Sequence, residues 1–307
     1  MKVLLLGATG LLGHNVLQRL MTEGHQVVAV VRRADGIRLQ QGNWETIVGS
    51  LLDYGTLQKA SKGCDAIINC AGCTDMSLRH YGDFLPVNRN LCALLTKLLD
   101  DTGIGTLVHT STVDTVNGVH SFYADSKSEG EQLILKAAIE GRHVVVVNPG
   151  FMLGPWDVKP SSGRMLLAAY RKPLMFVPQG GKAFVHVGDV AQAVVNALIR
   201  GENGCRYIAV NGYACLSIRE LYEMQAKVCG YRQIVFRVPD WLLLAAGRVG
   251  DALRWMGVKT QVSTCNIRQL LVRESYGSEP AVRDLGMPQT PTEVAIKEFH
   301  EWRKNNQ

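Results

Sequence analysis

The first thirteen residues restrict the possible folds of this chain more than any other stretch. An apolar run over 2–6 stops at Gly7, and the segment GATGLLG (7–13) leads into a stripe of Leu11, Leu12, Val16, Leu17 and Leu20. The run reads as a strand buried on both faces and the stripe as one face of a helix. A strand, a glycine turn and a helix in that order open a dinucleotide site. Gly7 permits the tight turn, Gly10 lets backbone amides approach a pyrophosphate, and Gly13 lets the helix lie close on the sheet. The helix start then offers free N–H groups and a partial positive charge to an anion. The spacing is G-x-x-G-x-x-G, not the more familiar G-x-G-x-x-G. Three glycines also fit a turn that holds no ligand; the strand before and the helix after favour the cofactor.

Segment 26–31 is a second apolar run, so a βαβ unit closes within about thirty residues. At the end of such a strand an acid binds the ribose 2′-hydroxyl of NAD, whereas arginine accommodates the 2′-phosphate of NADP. Arg32 and Arg33 stand there and the first acid, Asp35, comes later, which favours NADP over NAD. Segments 44–48, 66–70, 106–110 and 144–147 read as further strands, and 56–60, 91–99 and 126–138 as helices. This alternation predicts an α/β fold, a doubly wound parallel sheet of the Rossmann type with ligands at the strands' C-terminal ends.

After Asn148-Pro149-Gly150 the alternation is lost. The expected organisation is a dinucleotide-binding domain over 1–150 and a smaller C-terminal substrate lobe over 151–307, with about 184–200 returning to the first domain. A helix over 189–199 is expected to be capped by Asp189. Ser217 with Glu220 three residues on is a capping box for a helix running to about residue 228. Segment 241–256 is apolar enough to line a pocket or lie on a membrane surface, but Arg248, Asp251 and Arg254 make it read as an ordinary amphipathic helix.

Of 307 residues, 47% are hydrophobic and 20% charged, which argues against disorder and for a soluble globular protein. No apolar run reaches the roughly 18 residues of a membrane span, and the run after Met1 is too brief for a signal peptide. A cytoplasmic location is therefore expected. The net charge of +6 is spread without the basic and aromatic interleaving of nucleic-acid binders. Eight scattered cysteines do not suggest a disulfide framework. Cys70 and Cys73 form a C-x-x-C pair, but no second ligand pair has matching spacing, so no metal is expected.

Tyr123 and Lys127 stand four residues apart in FYADSKSEGEQLIL, which puts phenol and ammonium on one face of a helix. A tyrosine with an unperturbed pKa of about 10 becomes a useful acid or base near neutrality when a cation stabilises its phenolate. Thr112, leaving the fifth strand in HTSTV, is placed to hydrogen-bond a reacting oxygen against Tyr123.

With these residues assembled, the chain resembles the extended short-chain dehydrogenase/reductase family over nearly its whole length. The matching elements are GATGLLG (7–13), NCAG (69–72), Asn88, HTST (109–112), YADSK (123–127) and NPGFMLGP (148–155). GPWDVKPSSGR followed by FVHVGDVAQA is similar to the dihydroflavonol reductase-like and NAD(P)-dependent epimerase/dehydratase branches. The resemblance implies that Tyr123 is the acid/base, that Lys127 lowers its pKa and binds the nicotinamide ribose, and that Thr112 replaces the usual serine. It implies cofactor contacts at Gly7, Thr9, Gly10, Leu11, Leu12, Gly13, Arg32, Arg33, Ser50, Leu51, Cys70, Ala71, Gly72, Asn88, Asn148, Pro149 and Met152. It places Asp75, Trp156, Lys159, Arg164 and His186 on the substrate side, and Asp114 is a further candidate there, to bind a polar substrate group or to cap the turn.

Three departures stand out. Gly49-Ser50-Leu51 replaces the family's Gly-Asp-Leu, whose Asp holds the adenine amino group. Only ten residues separate Thr112 from Tyr123, a shorter loop than is typical, and Asp114 follows the catalytic strand. The expected function is NADP-dependent hydride transfer between nicotinamide and a carbonyl/alcohol carbon of a small molecule. A nucleotide-sugar epimerase/dehydratase and a catalytically silent NAD(P)-binding regulator remain open. A monomer or weak homodimer is expected.

Overall fold

Apolar strands that carry Val, Ile and Leu on both faces must be covered on both sides, and that requirement builds this molecule. The computed structural model describes residues 1–33, 42–116, 118, 120–139, 141–158, 160–212, 215–258, 260, 262–273 and 275–306. In chain order the strands are β1 (Lys2–Leu6), β2 (Gln26–Val31), β3 (Trp44–Val48), β4 (Ala66–Asn69), β5 (Thr106–Thr110), β6 (His143–Pro149), β7 (Phe151–Leu153), β8 (Leu174–Val177), β9 (Gly181–His186), β10 (Arg206–Ala209), β11 (Cys215–Ser217) and β12 (Ile234–Arg237). The helices are α1 (Leu11–Thr22), α2 (Tyr54–Ala60), α3 (Leu91–Thr102), α4 (Phe122–Lys136), α5 (Gly163–Ala169), α6 (Val187–Asn196), α7 (Ile218–Val228), α8 (Asp240–Trp255), α9 (Thr264–Leu271), α10 (Glu279–Leu285) and α11 (Thr292–Asn306).

The main sheet has seven strands in the order β10-β6-β5-β4-β1-β2-β3, and every pairing is parallel. Side chains of one strand alternate between two cores. Val3 and Leu5 join α1, α6 and α10 on one face, while Leu4 and Leu6 join α2, α3 and α4 on the other. The winding direction reverses between β1 and β4, which opens a crevice at their C-terminal ends. A third core joins α5, α7 and α11 over the small sheet β11-β9-β7.

The observed elements differ from the sequence expectations in three places. β10 adds a seventh strand on β6, a short edge segment lying beyond the region of regular alternation. The helix over 189–199 begins earlier, as α6, and its cap is His186, whose side chain accepts from the Gly188 N–H. Asp189 instead lies in the first turn and accepts from the Thr290 N–H and Oγ1, both at 2.7 Å. α4 starts at Phe122, capped by Ser121, so Tyr123 lies within its first turn. Among the described residues, no helix is long and apolar enough to cross a membrane.

Candidate active site

The crevice between β1 and β4 is built on backbone proximity. Gly7 has φ +83°, and a Cβ there would lie 2.6 Å from the Ala71 N and the Cys70 carbonyl carbon. A Cβ on Gly13 would lie 2.1 Å from the Gly7 carbonyl oxygen, so α1 can reach this position only with glycine. Gly10 caps α1 without a side chain, the first turn holds no acid, and Thr9 and Gly10 are exposed. Leu11 is half-buried, while Leu12 is packed in the core. An uncapped helix start beside a glycine cradle fits the diphosphate of a dinucleotide.

Around that cradle the other expected cofactor residues take varied positions. Arg32 and Arg33 are exposed at the end of β2; Asp35 lies outside the described residues. Ser50 is exposed and its Oγ accepts from the Leu52 N–H at 3.1 Å, while Leu51 packs against the second core. Asn88, buried in a π-helical turn over Pro86–Asn90, accepts from the Cys73 N–H at 2.7 Å. Its amide donates to the Cys73 carbonyl and to Ser126 Oγ. Asn88 thus clamps the segment after β4 against α4. Burial pushes the Cys70 thiol up to about 12 and raises that of Cys73, so neither is a ready thiolate. No metal-binding cluster occurs among the described residues.

The chemistry converges where α4 crosses the end of β5. Tyr123, Lys127 and Glu131 follow at four-residue spacing along one face of α4. The Tyr123 phenol is half-buried and near the Thr112 hydroxyl. Burial pushes this phenol above the usual tyrosine range, the Asp114 carboxylate adds to that, and the Thr112 hydroxyl opposes it. Lys127 is buried, and its ammonium donates to the Thr110 carbonyl at 2.7 Å. Burial also pulls the ammonium below its ordinary value. A Cβ on exposed Gly72 would be 3.9 Å from Lys127 Nζ, so the ammonium sits beside the expected cofactor path.

Behind these groups lies a buried polar network that the sequence did not announce. Asn148 at the end of β6 donates to the Thr112 carbonyl, Thr115 Oγ1 and Glu131 Oε2, at 2.9–3.1 Å. Glu131 also accepts from Thr115 Oγ1 and from Arg206 of β10. Glu131 continues the spacing of Tyr123 and Lys127, which was the available signal for it. Pro149 closes β6, and Met152 of β7 packs against the first core.

The residues expected on the substrate side do not form one cluster. Asp114 lies closest to the chemistry, acting on Tyr123. Asp75 is exposed, and its Oδ1 accepts from the Ser77 N–H and Oγ. Trp156, at φ +72°, stacks on His14 with ring centroids 4.0 Å apart. Arg164 is exposed and donates to the Pro160 carbonyl. His186 is engaged at both nitrogens, with Gly188 N–H at 2.9 Å and Glu298 Oε2 at 3.0 Å. Lys159 lies outside the described residues.

Comparison with known proteins identifies the family and the fold. Residues 3–211 match the model of the NAD dependent epimerase/dehydratase family. A putative dihydroflavonol 4-reductase from Synechocystis is 28% identical, over 98% of this chain and 94% of its own length. The sterol demethylase protein B of Methylococcus capsulatus is 27% identical over 98% of each chain. The solved structure of MoeE5 in complex with UDP-glucose and NAD shares the fold, with a TM-score of 0.77, 20% identity, and 100% and 99% of the two chains covered. The chain therefore belongs to the NAD-dependent epimerase/dehydratase family and is an NAD(P)-dependent oxidoreductase of the extended short-chain dehydrogenase/reductase type.

Proposed function

We propose that the protein reduces an aldehyde or ketone of a small molecule with NADPH, Tyr123 supplying the proton. The observation that carries this reading is the Tyr123 phenol, near the Thr112 hydroxyl on the helix face that also carries Lys127 and pushed upward by burial and Asp114. A phenol held in its protonated form is an acid at neutral pH, as carbonyl reduction requires. When bound, the nicotinamide cofactor supplies the hydride. Tyr123 donates its O–H to the carbonyl oxygen as negative charge develops there. Thr112 donates a second hydrogen bond to the same oxygen, and Asn148 steadies Thr112 through its backbone carbonyl. On this reading Lys127, held by the Thr110 carbonyl beside Gly72, holds ribose hydroxyls and stabilises the phenolate left behind.

The direct test offers NADPH with a panel of aldehydes, ketones and nucleotide sugars, following cofactor absorbance and product stereochemistry. Reduction of a carbonyl compound with matching NADPH oxidation is expected. Conversion of a nucleotide sugar with no net oxidation of NADPH would overturn the reductase reading in favour of transient hydride transfer.

The pH dependence follows from the raised phenol. Reduction needs the protonated form, so its rate stays level through neutrality and is lost as pH rises through the elevated pKa. Oxidation of the product alcohol needs the phenolate and rises over the same alkaline range. Initial rates in both directions check this; a reduction rate that already halves between pH 6 and 8, near-neutral values far below the ~10 of a free tyrosine, contradicts it.

On this reading Arg32 and Arg33, exposed at the end of β2, form charge-assisted bonds to the 2′-phosphate. Arg32→Ala is expected to weaken NADPH binding by roughly tenfold or more while leaving NADH nearly unchanged. Titration calorimetry decides it, and equal affinity for both cofactors in the unmodified protein refutes the NADP assignment.

A further inference from the structure

Helix α8 turns the wrong face outward for a helix of a water-soluble core. Its only buried residues are Gly247 and Gly250. A Cβ on Gly247 would lie 2.9 Å from Thr264 Cα, and one on Gly250 would lie 2.2 Å from the Val262 carbonyl oxygen. The helix therefore rests on the start of α9 along a glycine edge. Its position is fixed: Arg254 donates to the Leu78 carbonyl at 2.7 Å and Arg79 to the Arg254 carbonyl.

The opposite side carries Trp241, Ala245, Val249, Ala252 and Met256, spaced 4, 4, 3 and 4 residues, and all are exposed. Such a stripe ordinarily faces a core. Trp241 is 70% exposed and neighbouring Trp255 is 89% exposed. Three residues before α8, the parallel pair β12–β8 brings Ile234 opposite Leu174 and Phe236 opposite Phe176. These four side chains are exposed, with the two phenyl rings stacked 5.9 Å apart, while Val235 and its partner Met175 between them turn to the third core.

Charge is concentrated in the same part of the chain. Residues 229–273 contain seven Lys and Arg against two Asp and no Glu, five of the chain's six net positive charges. Arg232, Arg237, Arg248 and Arg268 are exposed. Two identical positive faces oppose one another in a symmetric pair, whereas an anionic surface attracts them. Exposed Trp and Phe beside Arg suit the boundary between head groups and acyl chains.

We propose that α8 and the outer face of β8–β12 form a docking surface for an anionic lipid bilayer, on which the protein lies without spanning it. The apolar stripe enters the boundary layer and the arginines meet acidic head groups. Its test needs no turnover and is independent of the reductase reading.

The experiment mixes the full chain with vesicles of phosphatidylcholine alone, or with an equal proportion of phosphatidylglycerol, and measures co-sedimentation against salt. Binding to the mixed vesicles, weaker in high salt, and little binding to the neutral ones are expected. Trp241→Ser combined with Trp255→Ser should lower partitioning on the order of tenfold or more. Arg248→Gln should lower it about fivefold, the equivalent of one basic residue near a charged surface. Both variants should retain the Tm of the unmodified protein, which reports an intact fold. Equal binding to neutral and mixed vesicles, no binding to either, or no effect of these substitutions overturns the proposal. So does a stable dimer by light scattering that the double tryptophan variant dissociates, since the face would then belong to a second copy.

Discussion

Tyr123→Phe lowers turnover on the order of 10²–10⁴-fold, the usual contribution of a positioned acid, and leaves NADPH affinity nearly unchanged. The substitution keeps the half-buried ring in the first turn of α4 and removes only the hydroxyl near Thr112. Thr112 is held independently, because its Oγ1 accepts from the Asp114 N–H at 3.3 Å and its carbonyl accepts from Asn148. The cofactor cradle at Gly7, Gly10 and Gly13 lies on other elements and is untouched. Steady-state rates with a substrate from the carbonyl panel, together with cofactor titration, measure both halves. A variant that keeps more than about half of normal turnover falls outside even the weakest acid contribution, and the assignment of Tyr123 fails.

Gly130→Ala should destabilise the protein by roughly 3 kcal/mol, at the upper end of ordinary overpacking, and depress turnover with it. A Cβ at Gly130 would lie 1.9 Å from the Asn88 carbonyl oxygen and 3.0 Å from Cys92 Sγ. The first obstacle is backbone, and it cannot step aside freely because the Asn88 side chain holds both backbone groups of Cys73. α4 must move instead, carrying Tyr123 and Lys127 with it. Thermal unfolding should show Tm lowered by roughly 5–10 °C. Gly55→Ala is the control, since a Cβ there meets only Asp53 carboxylate atoms at 3.7 and 3.9 Å. An unchanged Tm for Gly130→Ala would show that the α3–α4 approach is looser than described.

Much of the sheet was legible because its information is local. Central strands such as β1, β2 and β6 are continuous apolar runs, and α1 carries its stripe at helical spacing. β10 was not legible: RYIA is a four-residue edge strand whose partner, β6, ends more than fifty residues earlier. The cap of α6 was misassigned to Asp189 because an acid near a helix start suits both a cap and a first-turn position, and His186 is a less common cap. Tyr123, Lys127 and Thr112 could be named from spacing and from the family resemblance. Their surroundings could not, because Asn148 and Arg206 meet Glu131 only in three dimensions. In α8 the spacing marks an apolar face, but periodicity does not tell what that face meets.

The pairing of Glu131 with Arg206 also bears on when the site can mature during synthesis. Glu131 is 1% exposed, and its guanidinium partner lies 75 residues later, on the edge strand that completes the sheet. A nascent chain that ends before residue 206 has α4, β6 and Lys127 but lacks the guanidinium that pairs with this carboxylate, and a buried charge short of its partner is unfavourable. Until β10 emerges from the ribosome and docks, α4 has reason to stay loose and Tyr123 to stay out of register with Thr112. Tyr123 and Thr112 thus come into alignment late, after the glycine turn at Gly7, Gly10 and Gly13 has already been translated.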